Sequence, residues 1–467
     1  MYRVNFSKPC RVHFIGIGGI SMSGLAEILI KEGFSVSGSD MKESSITDKL
    51  AGIGARIYIG QVAENITDDI DFMVYTAAIH DDNPEFEAAR ETGKPMLTRA
   101  QMLGQIMENY KYSIAVAGTH GKTTTTAMMT HVLLAAAKDP TVSIGGMLDV
   151  IGGNIRIGSS DYFVTEACEY TNSYLEFEPM ISIILNVDDD HLDFFKNMDN
   201  IVTSFANFAN KTKDGGLLIL NSESPYFDKI RYAVRDRDIR VVTFGKHNRC
   251  NYRADSIVLD DDGCPTYELY ENGAPMGSIS LSVTGEHNVI NSLSVIAACR
   301  FLGIDMDSIR EGLRSCHSAK RRFEHKGVMD GNRLIVDDYA HHPTEIAASV
   351  KVGRNVAEKA GGELWIAFQP HTYSRTKAHL DEFAEVLSEA DHVLLADIYA
   401  AREADDGTIS SRDIEARMKE IGKAEAVYLG DFESIKKYFE ENSSNNDLLI
   451  TMGAGNIDSV ADLLLTK

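Results

Sequence analysis

The sequence predicts an α/β protein of three domains in series, each built on a parallel, doubly wound sheet, the central one with a small antiparallel appendage. Three observations predict it. Apolar strand-like runs alternate with helical stretches along nearly the whole chain, the pattern of parallel sheets covered by helices. Two glycine-rich turns, "VHFIGIGGISMSG" from Val12 and "AVAGTHGKTTTT" from Ala115, each stand between a strand and a helix. A chain of 467 residues is also too long for a single hydrophobic core.

The first domain, expected over 1–110, opens with the strand "RVHFIGI", a glycine turn and the helix "MSGLAEILIKEG". The strands "FSVSGSD" and "DFMVYTAAI" follow, then a helix "PEFEAARETG" ending at Gly93. The second domain, 111–321, opens with "YSIAVAG", and its helix begins at the Gly-Lys-Thr; "SDYFVTEA" and "MISIILNV" are buried strands ending in polar residues. From about Val241 to Val283 four short alternating segments ("VVTFG", "YRADSIVL", "TYELYENG", "GSISLSV") predict the antiparallel appendage. The helix "NVINSLSVIAACRFLG" ends at Gly303. Beyond "AKRRFEHKG" the alternation restarts as a third domain, 322–467, with strands "RLIVDDY", "ELWIAFQ", "HVLLADIY", "AEAVYLG" and "DLLITMG" and helices "TEIAASVKVGRNVAEKA" and "TKAHLDEFAEVLSEA".

Composition narrows the class. With 44% hydrophobic and 25% charged residues the chain is an ordinary globular protein. A net charge of -23 argues against nonspecific nucleic-acid binding, which needs basic surface to neutralise phosphates. No apolar run approaches the roughly 20 residues needed to span a bilayer, and the N-terminus lacks the features of a signal peptide, so a cytoplasmic protein without membrane insertion is expected. The six cysteines are scattered with no C-x-x-C pair, which suits reduced thiols.

Several short strings could carry chemistry. The first turn reads Gly16-x-Gly18-x-x-Ser21, and Asp40 ends the next strand within reach of a ribose hydroxyl; this fits a dinucleotide, a nucleotide sugar, or a tight turn without ligand. The second turn departs from the common P-loop, which needs a glycine where Val116 stands. It nevertheless keeps Gly118, Gly121, Lys122 and Thr123, so the lysine can neutralise phosphate oxygens and the threonine can ligate Mg²⁺. Glu166 and Glu169 follow one strand; Asp188, Asp189, Asp190, His191 and Asp193 follow another. These suit Mg²⁺ better than zinc, although N-capping accounts for the aspartates equally and His191 is either a ligand or structural. His287, Asn288 and Asn291 share a helical face that could meet adenine or merely cap the helix. Arg321 and Arg322 are a junction site or a solvated patch. Asp337, Asp338, His341, His342, His371 and Arg375 gather at strand ends of the third domain, and "MGAGNI" ends its last strand.

Taken together, "GIGGISMSGLAEIL", "GSD", "GTHGKTTT", "GGN", "GEHNVINS", "RRFE", "DDYAHHPTE", "FQPHTYSRT" and "GAGNI" resemble the Mur ligase family, ATP-dependent amide-forming ligases of peptidoglycan precursor synthesis, in the family's order and across all three domains. The resemblance implies a Rossmann-like first domain, a P-loop ATPase-like central domain and a Rossmann-like third. It assigns Gly16, Gly18, Gly19, Ser21, Met22, Ser23, Asp40 and Thr76 to the UDP sugar. Gly118, Thr119, His120, Gly121, Lys122, Thr123 and Thr124, with His287, Asn288, Asn291, Arg322 and Asp338, would bind ATP. Thr123 and Glu166 would hold one Mg²⁺ and His191 a second; Asn154 would lie near the reacting phosphate, and Tyr339, His341 and Arg375 beside the amino acid and the muramoyl carboxylate. Lys122, Glu166, His191, Asn154, His341 and Arg375 are thus the expected catalytic set.

Within the family the motifs are most like those of the member that joins L-alanine to UDP-N-acetylmuramate through an acyl phosphate, releasing ADP and phosphate. The third domain is expected to close over the site, and the protein to be a monomer or homodimer acting on small molecules. Two motifs depart from the family's pattern. "EACEYT" stands where many relatives read Glu-Ala-Asp-Glu-Ser-Asp, which introduces Cys168, Tyr170 and Thr171, and Thr372 stands where many have arginine. The competing readings are a related ligase that attaches a tripeptide to the same sugar nucleotide, a nicotinamide-dependent dehydrogenase resting on the first turn, and a non-catalytic nucleotide switch.

Overall fold

The computed structural model describes residues 2–466 except 77, 261, 318 and 402, and leaves the side chain of Asp193 undescribed. Among the described residues the strands form three sheets in chain order. The first holds β1 Arg11–Ile15, β2 Ser35–Asp40, β3 Arg56–Ile59, β4 Phe72–Tyr75 and β5 Met96–Thr98, parallel throughout in the order β3-β2-β1-β4-β5. The second holds β6 Tyr112–Ala117, β7 Thr141–Leu148, β8 Gly153–Arg156, β9 Tyr162–Ala167, β10 Ile181–Ile184, β11 Leu217–Asn221, β12 Arg240–Gly245, β13 Tyr252–Leu259, β14 Pro265–Glu271 and β15 Ala274–Ser280. Its order is β15-β14-β13-β12-β11-β10-β6-β9-β7-β8. The third holds β16 Glu324–Met329, β17 Arg333–Asp338, β18 Leu364–Phe368, β19 His392–Ala396, β20 Glu425–Gly430 and β21 Leu448–Met452, in the order β16-β17-β21-β18-β19-β20, with only β16 antiparallel to its neighbour.

The three-domain α/β architecture is therefore the one read from the sequence, with local corrections. "VVTFG", expected in the appendage, is β12 and runs parallel to β11, so the antiparallel part begins only at the β13–β14 pairing and continues the main sheet. A second antiparallel hairpin, β7–β8, edges the same sheet. The stretch "TKAHLDEFAEVLSEA" is two helices, Tyr373–Ala378 and Leu380–Leu387, broken at His379. No helix among the described residues is long and apolar enough to cross a membrane, and all six cysteines are free.

How the domains meet differs along the chain. The first and second share one apolar core, in which Leu103, Ile106 and Tyr110 pack with Phe163, Tyr174 and Phe177. The helix Arg99–Glu108 lies so close that a Cβ at Gly104 would sit 2.2 Å from the Glu176 carbonyl oxygen. Lys31 Nζ adds a hydrogen bond to the Gly158 carbonyl at 2.6 Å. The third domain keeps its own cores. It reaches the second through polar contacts, among them Arg375–Asp190 at 2.8 Å and Lys359 Nζ to the Asp260 carbonyl at 2.8 Å.

Gly104→Ala tests the fusion of the first two domains. The added methyl gains up to about 1 kcal/mol in helix propensity but must displace backbone, which costs about 1–3 kcal/mol. A lower thermal midpoint is expected, and an unchanged or raised midpoint would contradict the close packing.

Candidate active site

The carboxyl ends of parallel strands supply nearly every group of interest. After β1 the chain turns at Gly16, whose φ of +86° a side chain rarely adopts and whose Cβ would meet the Thr76 methyl at 2.8 Å. The Gly18 amide donates to Asp40 Oδ2 at 2.9 Å. Gly19 begins the helix Ile20–Lys31 with no side-chain cap, so its first amides stay open, as an anion site needs. Ser21 is exposed, whereas Met22 and Ser23 are buried. Ser23 spends its amide on the Gly19 carbonyl and its hydroxyl on that of Ile20, so both donors serve its own helix. Asp40 likewise orders the loop through the Gly18 amide.

The second glycine turn is held from three sides. Gly118 takes a φ of +146°, and Gly121, at +82°, caps the helix Lys122–Ala135. Asn186, beyond β10, clamps His120 by accepting its amide at 2.8 Å and donating to its carbonyl at 3.0 Å. The Thr119 hydroxyl accepts the Asp188 amide at 2.9 Å. Lys122 Nζ donates to the carbonyls of Gly118 and Thr119 at 2.5 and 3.0 Å, and to Glu169 Oε2 at 3.0 Å. Burial alone would depress this ammonium's pKa, but the Glu169 carboxylate overrides it and holds the lysine charged.

Two cavities bear on the site, one of them lined by this loop. One of about 250 Å³ opens between the second and third domains. His120, Gly121, Thr124, Asn288, Asn291 and Arg322 are among its lining residues, with His287 and Asp338. Asn291 packs on the turn itself, 2.8 Å from where a Cβ of Gly121 would stand. Asp338 is an inward anchor: its carboxylate accepts the amides of Phe323 and Ala340 at 2.9 and 2.7 Å, and burial raises it to about 6. Arg321 also turns inward, with Nε on Asp337 at 2.9 Å and its other nitrogens on the Gly453 and Gly455 carbonyls. That leaves Arg322 to face the cavity.

The other cavity, about 660 Å³, is lined by Tyr170, Asp190, His191, His371 and Arg375 among others. Arg375 donates to Asp190 at 2.8 Å, and its Nη1 lies 3.1 Å from His371 Nδ1. The Arg375 Nε is buried without a hydrogen-bond partner. A buried donor left unpaired costs about 1–3 kcal/mol, so this guanidinium is short of one acceptor. Asp190 stays ionised well below the usual range because, although burial pushes it up, Arg375 and His191 pull it down. His341 places Nδ1 3.0 Å from the Tyr339 carbonyl and 3.2 Å from Glu345. Burial presses its pKa down to about 4, despite Glu345.

Mg²⁺ prefers oxygen donors and is usually held by one or two carboxylates together with substrate phosphates. The donor set fits. Thr123 follows Lys122, and Glu166 spends Oε1 on the Gly145 amide at 2.7 Å. His191 Nε2 lies 3.9 Å from Glu169 Oε1. No preassembled group of three or more His, Cys, Asp or Glu ligands exists among the described residues. Asp188 and Asp190 neither build such a cage nor occupy the N-cap of the short helix Leu192–Phe195, which is His191, but face His120 and Arg375; the side chain of Asp193 lies outside the described residues. Asn154 lies on the edge strand β8, separated from β9 and Glu166 by β7. Sequence reasoning missed Asn186 and Glu345. An Asn in "ILNVDDD" and an acid in a helix's first turn carry no special signal, because capping and solvation account for both.

Comparison with known proteins agrees over the whole chain. Family models described as Mur ligase family, catalytic domain, Mur ligase middle domain, and Mur ligase, glutamate ligase domain match residues 11–111, 116–299 and 321–455. The UDP-N-acetylmuramate–L-alanine ligase of Lachnospira eligens is 54% identical over 466 residues, covering 100% of both chains, and that of Agathobacter rectalis is 52% identical over 467 residues, again covering 100% of both. The crystal structure of a UDP-N-acetylmuramate-alanine ligase from Thermotoga maritima superposes with a TM-score of 0.78 at 30% identity, over 98% of each chain. A murein peptide ligase from Psychrobacter arcticus shares the fold, with a TM-score of 0.67 at 23% identity over 98% of each chain.

The depressed pKa of His341 has a testable consequence. Its unfolded value of 6.5 falls to about 4 on folding, so the folded chain binds fewer protons between those limits. Stability is complete above pH 6.5 and falls toward pH 4, by about 1.4 kcal/mol per pH unit at most. Imidazole resonances followed by NMR should place the His341 midpoint near pH 4; a midpoint near 6.5 would contradict the burial argument.

Proposed function

The chain belongs to the Mur ligase family, and on that premise we propose how it works. It is an ATP-dependent ligase that joins L-alanine to the carboxylate of UDP-N-acetylmuramate in peptidoglycan precursor synthesis. The supporting observation is a line of contacts from the second glycine turn to the larger cavity: Lys122 to Glu169 at 3.0 Å, Glu169 to His191 at 3.9 Å, and His191 beside Asp190, which holds Arg375. A phosphate-binding lysine is thereby linked to the cavity where a carboxylate and an amine would meet.

The chemistry needs such a link. A carboxylate does not acylate an amine at neutral pH, since oxide would have to leave. Taking the γ-phosphoryl group of ATP converts that carboxylate to an acyl phosphate, from which phosphate leaves when the alanine amine attacks. One Mg²⁺ would be held by Thr123 and Glu166 and a second by His191, and both would offset charge on the phosphates. Lys122 would exchange Glu169 for phosphate oxygens, while Asn288, Asn291 and His287 receive the adenine end and Arg322 closes over it. The open amides after Gly19 would hold the UDP diphosphate, with Asp40 keeping the loop in shape and Thr76 against Gly16. Met22 and Ser23 would act as part of the helix start, since their side chains turn inward. Arg375 would give its unpartnered Nε to a substrate carboxylate, and the neutral His341 is available near the amine. The third domain excludes water, which would destroy the acyl phosphate. The enzyme would work in the cytoplasm as a monomer or homodimer, with its domains dividing near 110/111 and 321/322.

Phosphate release by the purified full chain should require ATP, Mg²⁺, UDP-N-acetylmuramate and L-alanine together. Running the assay with glycine, L-serine and a murein tripeptide in place of L-alanine tests the choice of amine. Strong preference for any of these would overturn the alanine assignment, and release without an amine would point to a nucleotide switch.

A further inference from the structure

We infer that Glu345 is a positioning residue that ties closure of the third domain to the phosphate loop, by gripping His120 across the domain boundary while orienting Arg322 and His341. Only its kinetic readout rests on the ligase reading above.

Glu345 stands in the first turn of the helix Pro343–Ala360 with its side chain 14% exposed. An acid at this position ordinarily does no more than face the helix's own amides and complement its dipole. This one does more. Its Oε1 lies 3.3 Å from His120 Nδ1 and 4.0 Å from Arg322 Nη1. Its Oε2 lies 3.2 Å from His341 Nδ1 and accepts the His341 amide at 3.2 Å. One carboxylate therefore touches the phosphate loop, a residue lining the nucleotide cavity and a residue beside the second cavity.

His120 is rigid enough to serve as the fixed end. Asn186 clamps both polar groups of its backbone, so the imidazole is aimed out of the loop toward the third domain. The His342 ring, from the same helix start as Glu345, packs 4.8 Å from it. The next residues, Gly121 and Lys122, begin the phosphate-binding helix. A rigid-body departure of the third domain would pull Glu345 off His120 and carry Arg322 and His341 away from the loop together. Restoring the contact brings all three back in register, so this pair couples loop geometry directly to domain position, beside the Arg375–Asp190 contact farther along the boundary.

The test uses the full chain as Glu345→Gln, His120→Gln, their combination and His120→Asn, whose amide can stand where Nδ1 is. Each of the first two should lower kcat about 10–100-fold through mispositioning, with the KM for UDP-N-acetylmuramate, which the first domain would hold, changed by less than about threefold. The double variant should match the worse single within about twofold, because both break one contact, and His120→Asn should retain more activity than His120→Gln. Small-angle scattering with Mg²⁺ and a non-hydrolysable ATP analogue should show the parent chain compacting and both singles remaining as extended as the free protein. Multiplicative losses in the double variant, or normal compaction in the singles, would overturn the latch. Should Glu345→Gln misfold, His120→Gln tests the same contact from the other side. An inactive parent chain would refute the ligase reading while the scattering still decided the latch.

Discussion

The arrangement depends on keeping one ammonium charged and fixed at the start of a helix. Lys122 sits where the turn from β6 points backbone amides and a helix N-terminus at one spot, and it is buried, so only a nearby carboxylate keeps it ionised. Glu169 provides that carboxylate now; phosphate oxygens would do so during turnover. The requirement is electrostatic. Two unit charges 4 Å apart interact by about 4 kcal/mol at an effective dielectric of 20, and a carboxylate approaching a γ-phosphate meets that repulsion more than once. On the proposed reading, the fixed ammonium of Lys122 and the Arg375 guanidinium across the cleft would offset that repulsion.

That constraint accounts for the unequal joints between domains. The first and second share an apolar core and a helix packed at backbone contact, which ties the two glycine turns to one packed unit. The third domain meets them through charged pairs such as Arg375–Asp190 and His120–Glu345. Such contacts are directional and give up little apolar burial when parted, which suits a domain that must admit ligands and then shut out water.

Much of this was legible in the sequence where local geometry determines role. A glycine turn between a strand and a helix leaves few conformations, so Gly118, Gly121 and Lys122 could be placed without a fold. The strand-end rule likewise placed Glu166, His191, His341 and Arg375. What stayed hidden depends on tertiary facing. Arg321 and Arg322 are neighbours, yet one staples its own domain and the other lines a cavity, because Arg321 takes a φ of +62° that turns it inward. Glu345 reads as a helix-dipole acid until its partner arrives from 225 residues away in sequence. Strand β12 looked antiparallel because alternation reports which faces are buried and not which way the neighbour runs.

The central claim is that the sugar nucleotide's own carboxylate is phosphorylated and loses one oxygen to phosphate. It is tested most directly with UDP-N-acetylmuramate carrying ¹⁸O in both carboxyl oxygens, turned over with ATP and L-alanine, the released phosphate being analysed by mass spectrometry. The account predicts one ¹⁸O in each phosphate released and one retained in the amide product. Phosphate free of ¹⁸O would contradict it.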